Sequence, residues 1–349
     1  DLVERQQESP YRDWYTVLSF DDPSTPDRNE FDYQGWWGYK GLPEFEENAS
    51  GRYPASLERY IEAATRRWMA PDGRPADGID GWRLDVADQV SPAFWRWWHE
   101  LVRSVNPQAV TVAEVWTDDA EHMVSDEGFT SVMNYRFVYA LKEHFIDGSL
   151  PADRFIDRLI ALREPWSPEV SLGFLNLLDS HDTPRIANMI LNPGLGYDRE
   201  AKPEDGYVFR APTPAERRVQ YAMHLFQVAW PGAPMIYYGT ETGMWGADDP
   251  HDRKPMVWPG RVHEDEAADP YGRGYAPQPV RADTAMTAWF RDLFALRDIH
   301  PWLRTADVRP YPAGDSDVSG FKRGDHGVFL FNRSDRERAV ELEDSCTPG

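Results

Sequence analysis

Apolar residues recur at Leu57, Tyr60, Ile61, Ala64 and Trp68, the spacing of one helix face, so residues 54–69 are predicted to form an amphipathic helix. Residues 79–86 are a short apolar run behind Gly78 and predict a strand. Ser91 and Pro92 then supply an N-cap and a first-turn proline for a helix reaching about residue 105. The alternation continues with strands predicted at 109–114, 129–134, 172–179 and 233–238. Helices are predicted from 134 into 144, over 152–163, over 214–229 behind a Thr213 cap, and over 284–297. These make five consecutive β/α units. Beyond residue 300 the period shortens to two, and 318–322, 327–332 and 339–342 read as short strands between Gly and Asp turns. Residues 1–52 show no sustained period. Their Asp, Pro and Gly predict an irregular, loop-rich segment, and their Trp and Tyr argue against disorder.

Five parallel units do not close a barrel, whereas eight do, and an eight-stranded barrel carries its chemistry at the C-terminal ends of its strands. The expected fold class is therefore α/β, a (β/α)8 TIM barrel represented by about its last five units and followed by the start of a C-terminal all-β domain. The expected divisions are a loop-rich excursion over 1–52, the barrel portion over 53–300 and a truncated β domain over 301–349, with the first three units expected upstream of Asp1. An open doubly wound sheet would want a glycine-rich phosphate turn after its first strand, and none is present.

Charge narrows the partners. The 59 acidic against 37 basic residues give a net charge of −22, so the surface repels phosphates and nucleic acid is not an expected partner. The longest apolar stretch, 221–238, is broken by His224, Gln227, Pro231, Gly232 and Pro234, and no membrane span is predicted. No basic-then-apolar leader opens the chain. The lone Cys346 allows no internal disulfide and leaves the compartment open.

The candidate chemistry lies where apolar runs end in a carboxylate: Asp85 in GWRLD, Glu114 in AEVW and Asp182 in SHD. Taken singly, each reads as a cap or a surface ion pair. Taken together, with Arg83 two residues before Asp85 and His181 beside Asp182, they predict one cleft, because carboxylates beside strands need compensation.

In this order and spacing, GWRLD, AEVW and SHD resemble conserved regions of the alpha-amylase family, glycoside hydrolase family 13. SPYRDWY (9–15), GWWGYKGLPEF (35–45) and residues 231–258 resemble its cyclomaltodextrinase, neopullulanase and maltogenic amylase branch. The resemblance implies a retaining glycosidase acting on alpha-1,4 bonds of maltooligosaccharides, cyclodextrins, pullulan or starch, with transglycosylation available. Asp85 is implied as nucleophile, Glu114 as acid/base and Asp182 as transition-state stabiliser, with Arg83 and His181 as flanking helpers. Trp116 is expected as an acceptor-side platform, and Asp249 and Arg253 as a grip on a donor-side glucose. Trp36, Trp37, Tyr39 and Trp245 are further stacking candidates, whereas Trp95, Trp97 and Trp98, on a predicted helix, read as core or interface. The loop at 247–253 lacks the glycine and spacing of an EF-hand, so no metal ligands are assigned. No cofactor is required; calcium and a homodimer of a longer protein are compatible with the family.

Four features depart from the pattern. The Asp-x-x-x-Asn-His strand end is absent, Trp82 stands where Phe is usual, Thr117 where the branch often has His, and Gln89 where an acid or His is common. Two other functions share the motifs: a sugar-transferring or isomerising enzyme of the same family, and a catalytically silent glucan-binding relative.

Overall fold

The computed structural model describes residues 1–27, 29–125, 128–196, 206–269 and 272–342. The chain divides into two compact units, one of Asp1–Glu114 with His122–Thr130, the other of Val115–Glu121 with Ser131–Gly349.

In the first unit a short antiparallel pair, β1 (Val17–Ser19) and β2 (Asp32–Tyr33), lies within the loop-rich segment. Helix α1 (Ala55–Met69) follows, with Glu58 in its first turn and Arg66 and Arg67 in its last, both favourable to the helix dipole. Its buried residues are Leu57, Thr65 and Met69, while Tyr60 and Trp68 are 62% and 59% exposed, so the buried face is rotated from the predicted one. The reason is polar: Thr65 Oγ1 accepts a hydrogen bond from Trp98 Nε1 at 3.1 Å, which hydropathy spacing does not register.

Strands β3 (Gly81–Leu84) and β4 (Val110–Val115) run parallel, with Gly81 opposite Val110 and Leu84 opposite Ala113. Gly81 is required there, since a Cβ would lie 2.1 Å from the Val110 carbonyl oxygen. Between them α2 (Pro92–Val105) starts where predicted, with Ser91 Oγ accepting from the Ala93 N–H at 3.2 Å. Trp95 and Trp98 are buried on this helix, as expected, and Trp95 and His99 pack edge-on against Phe129 at 5.0 and 4.6 Å between ring centres. Burial leaves His99 titrating near 4.

The second unit holds three parallel strands, β5 (Ser131–Asn134), β6 (Leu175–Leu177) and β7 (Ala233–Met235), in the order β5-β6-β7. Helix α3 (Tyr135–Leu141) follows β5, α4 (Ala152–Ala161) precedes β6, α5 (Arg217–Ala229) precedes β7, and α6 (Thr284–Ile299) begins at an Asp283 cap. Polar residues on these strands pair with one another. Asn134 donates to Asn176 at 2.9 Å, Asn176 to the Pro231 carbonyl at 2.8 Å, and Gln227 of α5 to the Asn176 carbonyl at 2.7 Å. All five expected barrel strands are present, each parallel to its neighbour within its unit, and each shorter than predicted except β4.

An antiparallel pair, β8 (Glu266–Ala268) with β9 (Gly274–Gln278), was not predicted. The C-terminal sheet is β10 (Val308–Pro310), β11 (Val318–Arg323) and β12 (Gly327–Asn332), antiparallel in that order. Its third strand is 308–310 rather than 339–342, which forms no strand. Phe226 of α5, fully buried, joins this sheet to the helices through ring contacts of 5.1 Å with Phe321 and 5.0 Å with Phe331. Cys346 lies outside the described residues, and no helix among the described residues is long and apolar enough to cross a membrane.

Candidate active site

Strand alternation explains the first cluster. Arg83 lies opposite Val112 in the parallel register, so Asp85, two residues past Arg83, shares a face with Glu114, two past Val112. Arg83 connects the two acids: its Nη1 pairs with Asp85 Oδ1, and its Nη2 lies 3.3 Å from Glu114 Oε1. The acids differ in setting, the Asp85 side chain being 72% exposed and that of Glu114 only 5%. Asp85 is thus not the buried strand-end carboxylate expected. Glu114 is, and its Oε2 accepts the Val86 N–H at 2.8 Å. Val86 holds φ 45°, ψ 48°, a strained left-handed conformation for a β-branched residue, immediately after the candidate nucleophile.

The second cluster forms where β6 ends. The turn is fixed by Thr183 Oγ1 accepting from the Ser180 N–H at 3.0 Å and Ser180 Oγ accepting from the Asp182 N–H at 3.1 Å. His181 Nε2 lies 3.1 Å from Asp182 Oδ2, Arg253 Nη2 3.1 Å from Asp182 Oδ1, and Arg253 Nε 2.7 Å from Asp249 Oδ1. His181, Asp182, Asp249 and Arg253 therefore meet in one unit, and Arg83, Asp85 and Glu114 in the other.

Arg185, three residues past Asp182, holds this arrangement together. Fully buried, it donates through its backbone N–H to Gly246 O at 3.0 Å, through Nε to Asp252 O at 2.9 Å and through Nη1 to Tyr238 O at 2.7 Å. Its guanidinium also lies 4.4 and 4.9 Å from the Tyr237 and Tyr238 ring centres. Asp179, buried beneath, accepts from the Ile186 N–H and from Thr240 Oγ1, each at 3.0 Å, and burial raises its pKa. Neither Arg185 nor Asp179 was singled out from the sequence, although both lie within three residues of the SHD motif that carries Asp182.

The aromatic candidates separate. Trp116 stacks on Tyr135 with ring centres 3.9 Å apart and planes 14° apart, so one of its faces is already used. Trp245 is 6% exposed with Lys254 Nζ 3.6 Å from its ring centre, which withdraws it as a sugar platform. Trp37 and Tyr39 are 70% and 65% exposed. No group of three or more His, Cys, Asp or Glu side chains among the described residues is placed to hold a metal ion.

A family model described as the catalytic domain of alpha amylase matches residues 2–306. The chain belongs to the alpha-amylase family. This alpha-amylase chain is similar to Neopullulanase 2 of Thermoactinomyces vulgaris, 35% identical over 348 residues that cover 97% of the chain and 49% of that relative. It is 29% identical to a cyclomaltodextrinase of Geobacillus thermopakistaniensis (strain MAS1), over 91% of the chain and 45% of the relative. Among solved structures, cyclic alpha-maltosyl-(1→6)-maltose hydrolase of Arthrobacter globiformis, in complex with cyclic alpha-maltosyl-(1→6)-maltose, superposes with a TM-score of 0.70 at 25% identity, covering 93% of the chain and 61% of that structure. The chain thus spans about half the length of these two curated relatives. Its β/α units are those of a (β/α)8 barrel enzyme of this family, in the branch that the sequence motifs resemble.

Proposed function

We propose that this alpha-amylase chain carries the catalytic residues of a retaining hydrolase of alpha-1,4-glucosidic bonds in maltooligosaccharides, cyclodextrins, pullulan or starch, with transglycosylation as a second outcome. The observation that carries the reading is Arg83 bridging one open carboxylate, Asp85, and one enclosed carboxylate, Glu114. Two acids on one cation but in unlike surroundings suit two different tasks.

In the first step the Asp85 carboxylate attacks the anomeric carbon. The bond to the glycosidic oxygen breaks, and that oxygen takes the proton of Glu114. In the second step Glu114 removes a proton from water or from a sugar hydroxyl, whose oxygen attacks the same carbon and releases Asp85. Asp182 and His181 hydrogen-bond the sugar hydroxyls as positive charge develops in the ring, and Arg83 keeps Asp85 oriented. Asp249 and Arg253 hold a donor-side glucose, and Trp116 offers a face to the acceptor. Relatives named for neopullulanase and cyclomaltodextrinase activity support this substrate class.

Asp85→Asn and Glu114→Gln in the natural gene product are expected to lower kcat on beta-cyclodextrin and maltotriose by at least about a thousandfold while leaving thermal unfolding unchanged. Rates near wild type in both variants would overturn the assignments.

A further inference from the structure

We propose that Glu266, on β8 and outside every motif described above, is a positioning residue for the loop that presents Asp249 and Arg253 to substrate. The inference rests on the reading of that loop as the grip on a donor-side glucose. Three donors converge on this one carboxylate. His251 Nε2 lies 2.7 Å from Glu266 Oε1, the Tyr275 hydroxyl of β9 donates to the same oxygen, and Lys254 Nζ lies 2.6 Å from Oε2. His251 Nδ1 accepts the Ala247 N–H at 3.0 Å, so the ring carries its proton on Nε2 and donates it to Glu266. The side chains of His251, Lys254 and Glu266 are 6%, 18% and 15% exposed, so this anchor is shielded from water and from salt.

Side-chain direction along the loop gives the anchor its purpose. His251 and Lys254 turn inward to Glu266, Asp252 is fully buried, and Arg253 between them turns outward to Asp182 and Asp249. His251 and Lys254, on either side of Arg253, are therefore tied to β8, and this support holds the Arg253 guanidinium at Asp182. Burial opposes the charge on Glu266, yet the His251 bond and the Lys254 ammonium outweigh it and hold this carboxyl near 2. The anchor thus stays charged throughout the range in which a glycosidase works.

The test compares Glu266→Gln, Tyr275→Phe and Arg253→Ala in the natural gene product, on maltohexaose, whose donor side extends past the glucose that Asp85 attacks and so reaches the loop, and on 4-nitrophenyl alpha-glucoside, whose donor side is that one glucose. Glutamine keeps one acceptor oxygen and turns an amide N–H2 toward a donor. Glu266→Gln is therefore expected to raise KM for maltohexaose at least about tenfold, with kcat and the glucoside kcat/KM within about threefold of wild type. Tyr275→Phe removes one donor of three and is expected to give the same split at about threefold, which keeps the test decisive if Glu266→Gln does not fold. Equal loss of kcat on both substrates with KM unchanged would mean a merely structural role and overturn the proposal. An unchanged KM in the glutamine and phenylalanine variants while Arg253→Ala raises it would overturn the positioning role alone. An unchanged KM in Arg253→Ala would overturn the donor-side grip, and the inference with it.

Discussion

Replacing Asp252 with asparagine is expected to remove a loss of stability that wild type suffers between pH 5 and pH 8. Asp252 is fully buried, its Oδ2 accepts from the Tyr237 hydroxyl at 3.3 Å, and its Oδ1 meets no hydrogen-bond donor among the described residues. Burial raises its pKa from 3.8 to about 7; Asp249 adds to the rise, and Arg185, Arg253 and Tyr237 oppose it. A carboxyl raised on folding contributes its full stability below the unfolded value of 3.8, and loses it as pH climbs through about 7. At about 1.4 kcal/mol per pH unit the gap amounts to about 4 kcal/mol, of which about 2–3 kcal/mol falls between pH 5 and pH 8. Asparagine cannot ionise, and its amide oxygen still accepts from Tyr237. His99, His144 and His224, which burial holds near 4 against an unfolded value of 6.5, gain stability as pH rises through this window, but they do so in wild type and variant alike and cancel in the comparison. Denaturant unfolding at pH 5 and pH 8, followed by tryptophan fluorescence, should show the stability of wild type relative to the variant falling by about 2–3 kcal/mol across the interval. Parallel profiles for the two proteins would refute the reasoning.

Arg185→Met removes the cation beside Asp179 and Asp252 and leaves the buried Asp252 carbonyl and the Tyr238 carbonyl without their donor, so unfolding free energy should fall by about 3–5 kcal/mol. The fall should be larger at pH 8 than at pH 5, and that difference should vanish in the Asp252→Asn background; equal falls would contradict the pairing. Trp116→Ala, with Tyr135 intact, is expected to lower the ratio of sugar transfer to hydrolysis up to about tenfold, the value of one aromatic stack. Product analysis with maltose as acceptor reads that ratio, and an unchanged ratio would remove Trp116 from the acceptor side.

The β/α alternation was legible because each barrel strand is a short apolar run closed by a turn, and because the start of α2 is marked by a side chain that does cap, Ser91. The acids were legible because a carboxylate at the end of an apolar run needs compensation, whether it lies inside the strand, as Glu114 does in β4, or beyond it, as Asp85 and Asp182 do. Polarity used for packing was not legible. Thr65 is buried to serve Trp98, so the inward face of α1 departs from its hydropathy. Strand β10 contains Arg309 and Pro310 and carries little pattern, whereas 339–342 alternates but forms no strand. Arg185, His251, Lys254 and Glu266 look like solvated loop charges in sequence. Only their convergence from separate segments reveals them as supports beneath Asp182 and Arg253.

The central claim is that Asp85 forms the bond to sugar. Incubation of the natural gene product with 5-fluoro-alpha-glucosyl fluoride, followed by proteolysis and mass spectrometry, tests it most directly, because the fluorine slows breakdown of a glycosyl enzyme enough to isolate it. The account predicts a single labelled peptide with the sugar on Asp85, and no label in Asp85→Asn. A label on Glu114, on Asp182 or on any other residue would contradict it.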